Sequence, residues 1–235
     1  MKLFQNHKIK VIVFFVVFAF SLPVFAQRDK ITVRFDQSIE AGKFSEVERE
    51  LFNYVVANPK DAVGFSLLAK LRLKQNRLHE AKSLANKALT INPNLISAKL
   101  TLVSALIQIG DLDQSRTILD AISETELTDN AIRLQVADKY SLIGDCPKAL
   151  SLAAKFPLKF KNTEALPLRV SCYLTANDKK NFALLLPLAK SLAKQNPLIL
   201  VEFTKVLSKA SMHKEVVDLL RSVNFATGKN IDALL

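Results

Sequence analysis

The sequence predicts an all-α fold, an α-α superhelix of about five to six antiparallel helix hairpins. The segment Ala62–Leu95 contains two helical patterns joined by a short turn, and turn-forming residues recur above and below it every 34 residues. The chain has only five glycines and no tryptophan, which argues against a loop-rich β protein. A hairpin that is apolar on both broad faces is stable only when stacked, so we expect three or more in a row.

Residues 1–26 have the pattern of a cleavable signal peptide. Lysines precede the apolar run Val11–Phe20, and Val24 and Ala26 occupy the −3 and −1 positions of a small-residue cleavage site. The uncharged span is shorter than the roughly 20 residues of a membrane helix. No cysteine stands at the cleavage site, which argues against a lipoprotein. We therefore expect an exported bacterial protein, periplasmic or secreted.

The corners of the hairpins are predicted from one repeat position. With Ala62 as position 1, Asn76 is position 15. Steps of 34 place a glycine, asparagine or aspartate at this position in five repeats: Gly42, Asn76, Gly110, Gly144 and Asp178. These residue types tolerate the left-handed backbone that ends a helix, so each predicts a corner. Pro59 and Pro93 should end the second helices of their repeats, whereas Pro147 suits a first helical turn.

Small residues mark the positions where helices touch. Position 8 carries Ala69 and Ala137. Position 20 carries Ala81, Ser115, Ala149 and Ala183. The 34-residue period and the series Ala69, Ala81, Ala88, Pro93 resemble the tetratricopeptide repeat family, in which Tyr140 holds an aromatic position of a first helix. Arg72 and Leu106 depart from that aromatic at position 11, and Ile122 and Phe156 depart from the small residue at position 27.

The resemblance predicts two regions after the signal peptide. Residues 27–163 form the repeat domain, and residues 164–235 form degenerate repeats of the same kind. Pro187 should kink or restart its helix. The last residues, IDALL, do not present the polar face of a terminal repeat. We therefore expect a truncated chain, an end-to-end dimer or a docked final helix.

The resemblance implies a groove lined by the first helices of the repeats. Its candidate residues, at positions 9, 12 and 13 and at position 5, are Lys70, Leu73, Lys74, Leu100, Ser104, Ile107, Leu134 and Asp138. Two interpretations stay open. The leucines pack neighbouring first helices together, or the groove holds an extended or helical segment of a partner.

The predicted function is a non-enzymatic scaffold of the bacterial cell envelope that binds a protein partner in this groove. The alternative is a structural or assembly component that acts through the ends of the solenoid or a missing C-terminal domain. Neither His79 nor His213 has a metal-ligand companion four residues on, and the motifs GxSxG, HExxH and the phosphate loop are absent. We expect no catalytic residues, no cofactor and no metal.

Cysteine and lysine residues raise two further points. Cys146 and Cys172 are the only cysteines, and their spacing is compatible with a disulfide between neighbouring repeats or with two buried thiols. The formal charge is +11, and Lys155, Lys159 and Lys161 cluster, with Lys179 and Lys180 at the next corner. These lysines form a solvated face or contact an anionic envelope surface. Nucleic acid is not an expected partner.

Overall fold

The computed structural model describes residues 30–127, 129–155 and 165–222, and every regular element within these ranges is a helix. Helix α1 is helical throughout residues 30–40. The others are α2 (Phe44–Ala57), α3 (Ala62–Lys74), α4 (Leu78–Ile91), α5 (Ile96–Ile109), α6 (Leu112–Asp120), α7 (Asn130–Leu142), α8 (Cys146–Ala154), α9 (Leu166–Thr175), α10 (Lys179–Ala193), α11 (Pro197–Lys209) and α12 (His213–Ser222). Successive pairs form six hairpins, which confirms the predicted fold.

Several sequence predictions lie outside the described residues, three of which concern whole segments. These are the signal peptide at 1–26, the domain boundary at 163 and 164, and the unusual terminus at 231–235. Among the described helices, none has the length and apolar content that a membrane span requires.

The chain divides into two compact units, Met1–Ala105 and Leu106–Leu235, called here the N-unit and the C-unit. Each has its own apolar core. In the N-unit the core is built around fully buried Phe35, Leu51 and Leu71. In the C-unit a core formed by α9 to α12 surrounds fully buried Phe203 and Leu207. Burial of these side chains is the main stabilising contribution in each unit.

All six hairpin corners have the same hydrogen-bonded form. The residue at position 15 has a positive φ in each: Gly42, Asn76, Gly110, Gly144, Asn177 and Ser211. Its N–H bonds to the carbonyl three residues earlier, as in Gly144 N–H to Ser141 O at 3.1 Å. The next N–H bonds five residues back, as in Asp145 N–H to Tyr140 O at 2.8 Å. This pair of bonds is the Schellman motif, which satisfies carbonyls left free at the end of the first helix.

The fifth corner corrects the sequence prediction. The left-handed residue there is Asn177, with φ of 52°, and Asp178 instead caps α10 by accepting a hydrogen bond from Asn181 N–H at 3.0 Å. The step from Gly144 to Asn177 is thus 33 residues rather than 34. Asp178 therefore matches the capping aspartates Asp111 and Asp145, which precede α6 and α8.

This one-residue shift moves the whole fifth repeat. Tyr173 takes the position of Tyr140, because Asp178 N–H bonds to its carbonyl at 2.8 Å, as Asp145 N–H bonds to that of Tyr140. Ala183 was predicted at the small position 20, but it is exposed, and half-buried Phe182 occupies that position. The prediction for Ala183 was wrong because it assumed an unbroken 34-residue period.

The prolines behave largely as predicted. Helices α2 and α4 end two residues before Pro59 and Pro93, and Pro147 lies in the first turn of α8. Pro187 is different, since α10 continues through it to Ala193 and does not restart. Its side chain is exposed, so the ring is accommodated on the outer side of the helix.

Candidate functional site

The predicted groove lysines of the N-unit are already paired with acids. Lys70 Nζ lies 2.7 Å from Asp36 Oδ1 and 2.6 Å from Glu40 Oε1. Lys74 Nζ lies 3.2 Å from Glu40 Oε2. Asp36 and Lys70 both occupy position 9 of their repeats, 34 residues apart. Glu40 and Lys74 both occupy position 13, with the same separation. We call Asp36, Glu40, Lys70 and Lys74 the charged face; it joins α1 to α3.

The charged face is open to solvent while its charges are held in place. The side chains of Asp36, Glu40 and Lys74 are 46%, 50% and 44% exposed, whereas that of Lys70 is 28% exposed. Burial alone would lower the pKa of Lys70, but its hydrogen bonds to Asp36 and Glu40 outweigh this and raise the pKa. The hydrogen bond from Lys70 lowers the pKa of Glu40. These contacts therefore favour the charged forms of Lys70 and Glu40.

The remaining N-unit candidates are less accessible. Leu100 is 7% exposed, which favours the packing interpretation for this leucine. Leu73 and Ser104 are half-buried, and the Ser104 hydroxyl donates to the Leu100 carbonyl within α5 at 2.9 Å. The hydroxyls of Ser66 and Ser97, 3.0 Å apart, link α3 to α5 on the first-helix side. This part of the N-unit is thus a packed seam beside the charged face.

In the C-unit the candidates form a weaker pattern. Ile107 and Leu134 are half-buried. Asp138 is exposed, and its carboxylate lies 3.4 Å from the ammonium of adjacent Lys139. Among the residues of α7 and α9 that the structure describes, no ion pair joins positions 9 or 13 of neighbouring repeats as in the charged face. The accessible charged arrangement is therefore that of the N-unit.

A second network in the N-unit surrounds buried Arg72, whose sequence signal was only its difference from the aromatic residue at position 11. Arg72, 7% exposed, lies 2.5 Å from Glu48 of α2 through Nη1. Its Nε faces Glu80 of α4 at 3.3 Å, an ion pair without hydrogen-bond alignment. Hydrogen bonds from Gln75 and then Arg72 lower the pKa of Glu48. This network ties the first two hairpins together rather than presenting a binding surface.

The C-unit has a corresponding network around Tyr140. The Tyr140 hydroxyl donates to Asp120 at 2.8 Å, and Lys148 Nζ lies 2.6 Å from the same carboxylate. The hydrogen bond from Lys148, followed by that from Tyr140, lowers the pKa of Asp120. Burial and the bond to Asp120 raise the pKa of Tyr140 above its usual range. These groups connect α6 to α7 and α8 and are structural.

The two cysteines meet in the C-unit. Cys146, at the start of α8, and Cys172, in the middle of α9, form a disulfide with Cα atoms 5.3 Å apart. That separation lies within the usual range for the bond. Both residues are buried, so the link lies inside the contact between the fourth and fifth hairpins.

The structure describes only part of the predicted lysine cluster. Lys155 pairs with Glu124 at 3.1 Å, so it is not a free member of the predicted basic cluster, while Lys159 and Lys161 lie outside the described residues. Where side chains are described, no group of three or more His, Cys, Asp or Glu residues is arranged to hold a metal ion.

Comparisons with known proteins agree with this architecture. Residues 72–138 match the sequence model of the tetratricopeptide repeat family. No curated protein matches the sequence.

Similarity to one solved structure supports the fold. The chain is similar to one chain of the APC/C hetero-tetramer Cut9-Hcn1, with 14% identity and a TM-score of 0.58, over 86% of this chain and 41% of that one. It is also similar to YrrB, described as a TPR protein with an unusual peptide-binding site, with 13% identity and a TM-score of 0.45, over 78% of this chain and 91% of that one. The chain thus spans less than half the length of the first structure.

Proposed function

We propose that this chain, a tetratricopeptide repeat protein, is an exported and non-enzymatic scaffold that holds a segment of a protein partner against the charged face of α1 and α3. The repeats of this family generally form a protein-interaction fold rather than a catalytic one. The charged face carries the proposal because it places two acids and two lysines, half-exposed and fixed in position, on the first-helix side.

The chemistry of the charged face indicates what it would bind. Each carboxylate accepts from one or two lysines and keeps lone pairs directed to solvent. Lys74 likewise has two donors beyond its bond to Glu40. A partner segment with both a basic and an acidic side chain would pair with both signs at once. Charges already held in place lose little side-chain entropy on binding, which favours this site over isolated surface lysines.

Export to the cell envelope is part of the same proposal. The signal-peptide pattern at residues 1–26 supports it. The Cys146–Cys172 disulfide supports it independently, since disulfides persist in oxidising compartments and are rare in the cytosol. N-terminal sequencing of exported protein should show a chain that starts at Gln27. A chain that still starts at Met1 would contradict cleavage.

Site-specific photo-cross-linking in cells tests the binding face. A photoreactive residue at Lys74 should capture a defined partner. The same residue at Ser83, which is exposed on α4 on the second-helix side of the N-unit, is the matched control. The proposal predicts one dominant product from position 74 that is absent from position 83. Equal products from both positions, or none from position 74, would contradict it.

A further inference from the structure

We propose that the outward side of α10 is a contact surface for an anionic lipid bilayer. This inference deepens the anionic-surface contact expected from the sequence: it keeps Lys179 and Lys180 from that expectation and adds residues of α10. It rests on the proposed export only for its cellular setting, and it is independent of the charged face. Its residues are Lys179, Lys180, Leu184, Pro187 and Lys194, called here the α10 stripe.

The side chains of the stripe lie on the solvent side of the helix. Lys180, Leu184, Pro187 and Ser191 follow one another at spacings of four, three and four residues, which places them on one face. All four are exposed, whereas Leu185, Ala189 and Leu192 are buried on the opposite side against the core of α9 to α12. The stripe is therefore free of contacts that folding requires.

Leu184 distinguishes this face from the corresponding faces of the earlier second helices. At 71% it is the most exposed of the large apolar side chains in the described parts of the chain. The corresponding position of the earlier repeats holds Arg49, Ser83, Thr117 and Ser151, all exposed and polar. Solvent exposure of a leucine at a polar position brings no folding free energy, because its apolar area stays in water. It does provide an apolar group to insert at an interface.

The charge of the helix fits an anionic surface. Helix α10 contains Lys179, Lys180 and Lys190 and no acidic residue, and Lys194 follows as its C-terminal cap. Lys179 and Lys194 are in no ion pair with any other described residue. The one nearby acid, Asp178, is occupied as the N-cap and accepts from Asn181. Lysines at both ends of a helix about 22 Å long, with an apolar centre, match a headgroup plane.

A bilayer suits these features better than an acidic protein. A protein partner of comparable affinity would need an apolar area of several hundred Å² to bury, whereas the stripe offers one leucine and one proline. Adsorption to a membrane needs only attraction of a few lysines within a Debye length, supplemented by a small inserted group. The stripe therefore predicts weak, salt-sensitive adsorption.

The absence of tryptophan from the sequence makes a clean test available. Leu184→Trp introduces a single indole into the stripe, and Phe52→Trp introduces one at another exposed apolar position, 51% exposed on α2 in the N-unit. Both variants carry the same N-terminus, so any effect of that segment is shared. Each is purified as the cell processes it and titrated with phosphatidylcholine vesicles containing 25% phosphatidylglycerol at low salt.

We expect the indole at position 184 to shift to shorter emission wavelengths and to be quenched by brominated lipid, while the indole at position 52 stays in water. Raising the salt to 0.5 M should reverse the shift. Lys179→Glu with Lys180→Glu should weaken adsorption at least tenfold, since each lysine near an anionic surface contributes about fivefold. Lys205→Gln, which removes an exposed lysine paired with Glu202, should leave it unchanged.

Equal quenching at positions 52 and 184, or no shift at position 184, would overturn the proposal. So would binding of the stripe to a polyglutamate peptide without quenching by brominated lipid, because that result assigns the lysines to an acidic protein. Failure here leaves the position 74 cross-link unaffected, so the two proposals fail separately.

Discussion

Repeat position 11 carries Arg72 in the second repeat, in the N-unit, and Tyr140 in the fourth repeat, in the C-unit, and both side chains are buried. Each takes an acidic partner from the preceding second helix, Glu48 for the arginine and Asp120 for the tyrosine. The buried cation requires its acid to remain charged, whereas the neutral hydroxyl needs only an acceptor. The same repeat position therefore contacts its acid through a buried charge in one unit and through a neutral hydroxyl in the other.

Both units also contain an ion pair between the same two repeat positions, but the acid and the base exchange places. Arg77 of the second repeat meets Glu48, 29 residues earlier, at 3.4 Å. Asp145 of the fourth repeat meets Arg116, also 29 residues earlier, at 2.5 Å. The 29-residue separation determines which two repeat positions meet. The residues around each position determine which of the two is the acid and which the base. In the N-unit, buried Arg72 requires an acid at Glu48; in the C-unit, the acid is Asp145, whose side chain also caps α8.

The largest expected difference between the units comes from the disulfide. Reduction of Cys146–Cys172 opens a link across 26 residues of sequence, and it should destabilise the C-unit by about 3 kcal/mol. Hydrogen exchange resolved by peptide should show lost protection in α8 and α9, with α2 to α4 unchanged. Cys146→Ala with Cys172→Ala should show the same loss and no response to reductant. Equal loss in both units would remove this distinction.

The position 11 comparison predicts unequal effects of removing each acid. Glu48→Ala leaves the buried guanidinium of Arg72 with Glu80 as its acidic partner and Gln75 as a neutral acceptor, so we expect a loss of about 2–3 kcal/mol in urea unfolding. Asp120→Ala leaves a neutral hydroxyl and a half-exposed Lys148, whose surface ion pair contributes little, so the loss should be about 1 kcal/mol. Glu46→Ala, on an exposed side chain of α2, is the control and should change little. Equal losses for Glu48 and Asp120 would show that the buried charge is unimportant.

A close approach in the N-unit gives a third test. A Cβ at Gly64 would lie 3.0 Å from Tyr54 Cε1 and 3.2 Å from Val55 Cγ1, because the Tyr54 ring fills position 27. Gly64→Ala should therefore cost about 1–3 kcal/mol through overpacking. The cost should shrink in a Tyr54→Leu background, measured as a double-mutant cycle. An unchanged cost would place the strain elsewhere in α3.

The smallest expected effect tests the shifted register of the C-unit. Ser211 has φ of 59°, a conformation that favours glycine, so Ser211→Gly should raise the free energy of unfolding by about 0.5–1 kcal/mol. Asp178→Ala should instead lower it by about 1 kcal/mol, because a helix cap is lost. Thermal unfolding measures both. An Asp178→Ala variant that keeps its full stability would contradict the capping role and with it this account of the shifted register.

Much of the fold could be predicted because left-handed corners restrict residue choice. Gly42, Asn76, Gly110 and Gly144 all lie where the period placed them. The fifth corner failed because Asn177 and Asp178 are both acceptable turn residues, and only hydrogen bonding separates them. Two signals pointed to the shift: Tyr173 follows Tyr140 by 33 residues, and Asp178 continues the series of capping aspartates.

The site was harder to predict because partners lie in other repeats. Lys70 and Lys74 stand at predicted groove positions. Their acidic partners, Asp36 and Glu40, lie one repeat earlier, in a helix that matches the repeat pattern poorly. Stepping back 34 residues from each lysine would have found them. The burial of Leu100 follows from packing between helices and leaves no mark in its own sequence neighbourhood.

The most direct test of the central claim measures stability and binding in one variant of the charged face. Glu40→Gln with Lys74→Gln removes the Lys74–Glu40 and Lys70–Glu40 ion pairs while both positions stay polar. Lys70 keeps its bond to Asp36, so the unfolding free energy should change by less than about 1 kcal/mol. The Kd for the partner captured from position 74 should rise at least tenfold. Lys205→Gln with Glu202→Gln, an exposed pair in the C-unit, should change neither quantity. An unchanged Kd in the Glu40 and Lys74 variant would contradict a binding role for the charged face.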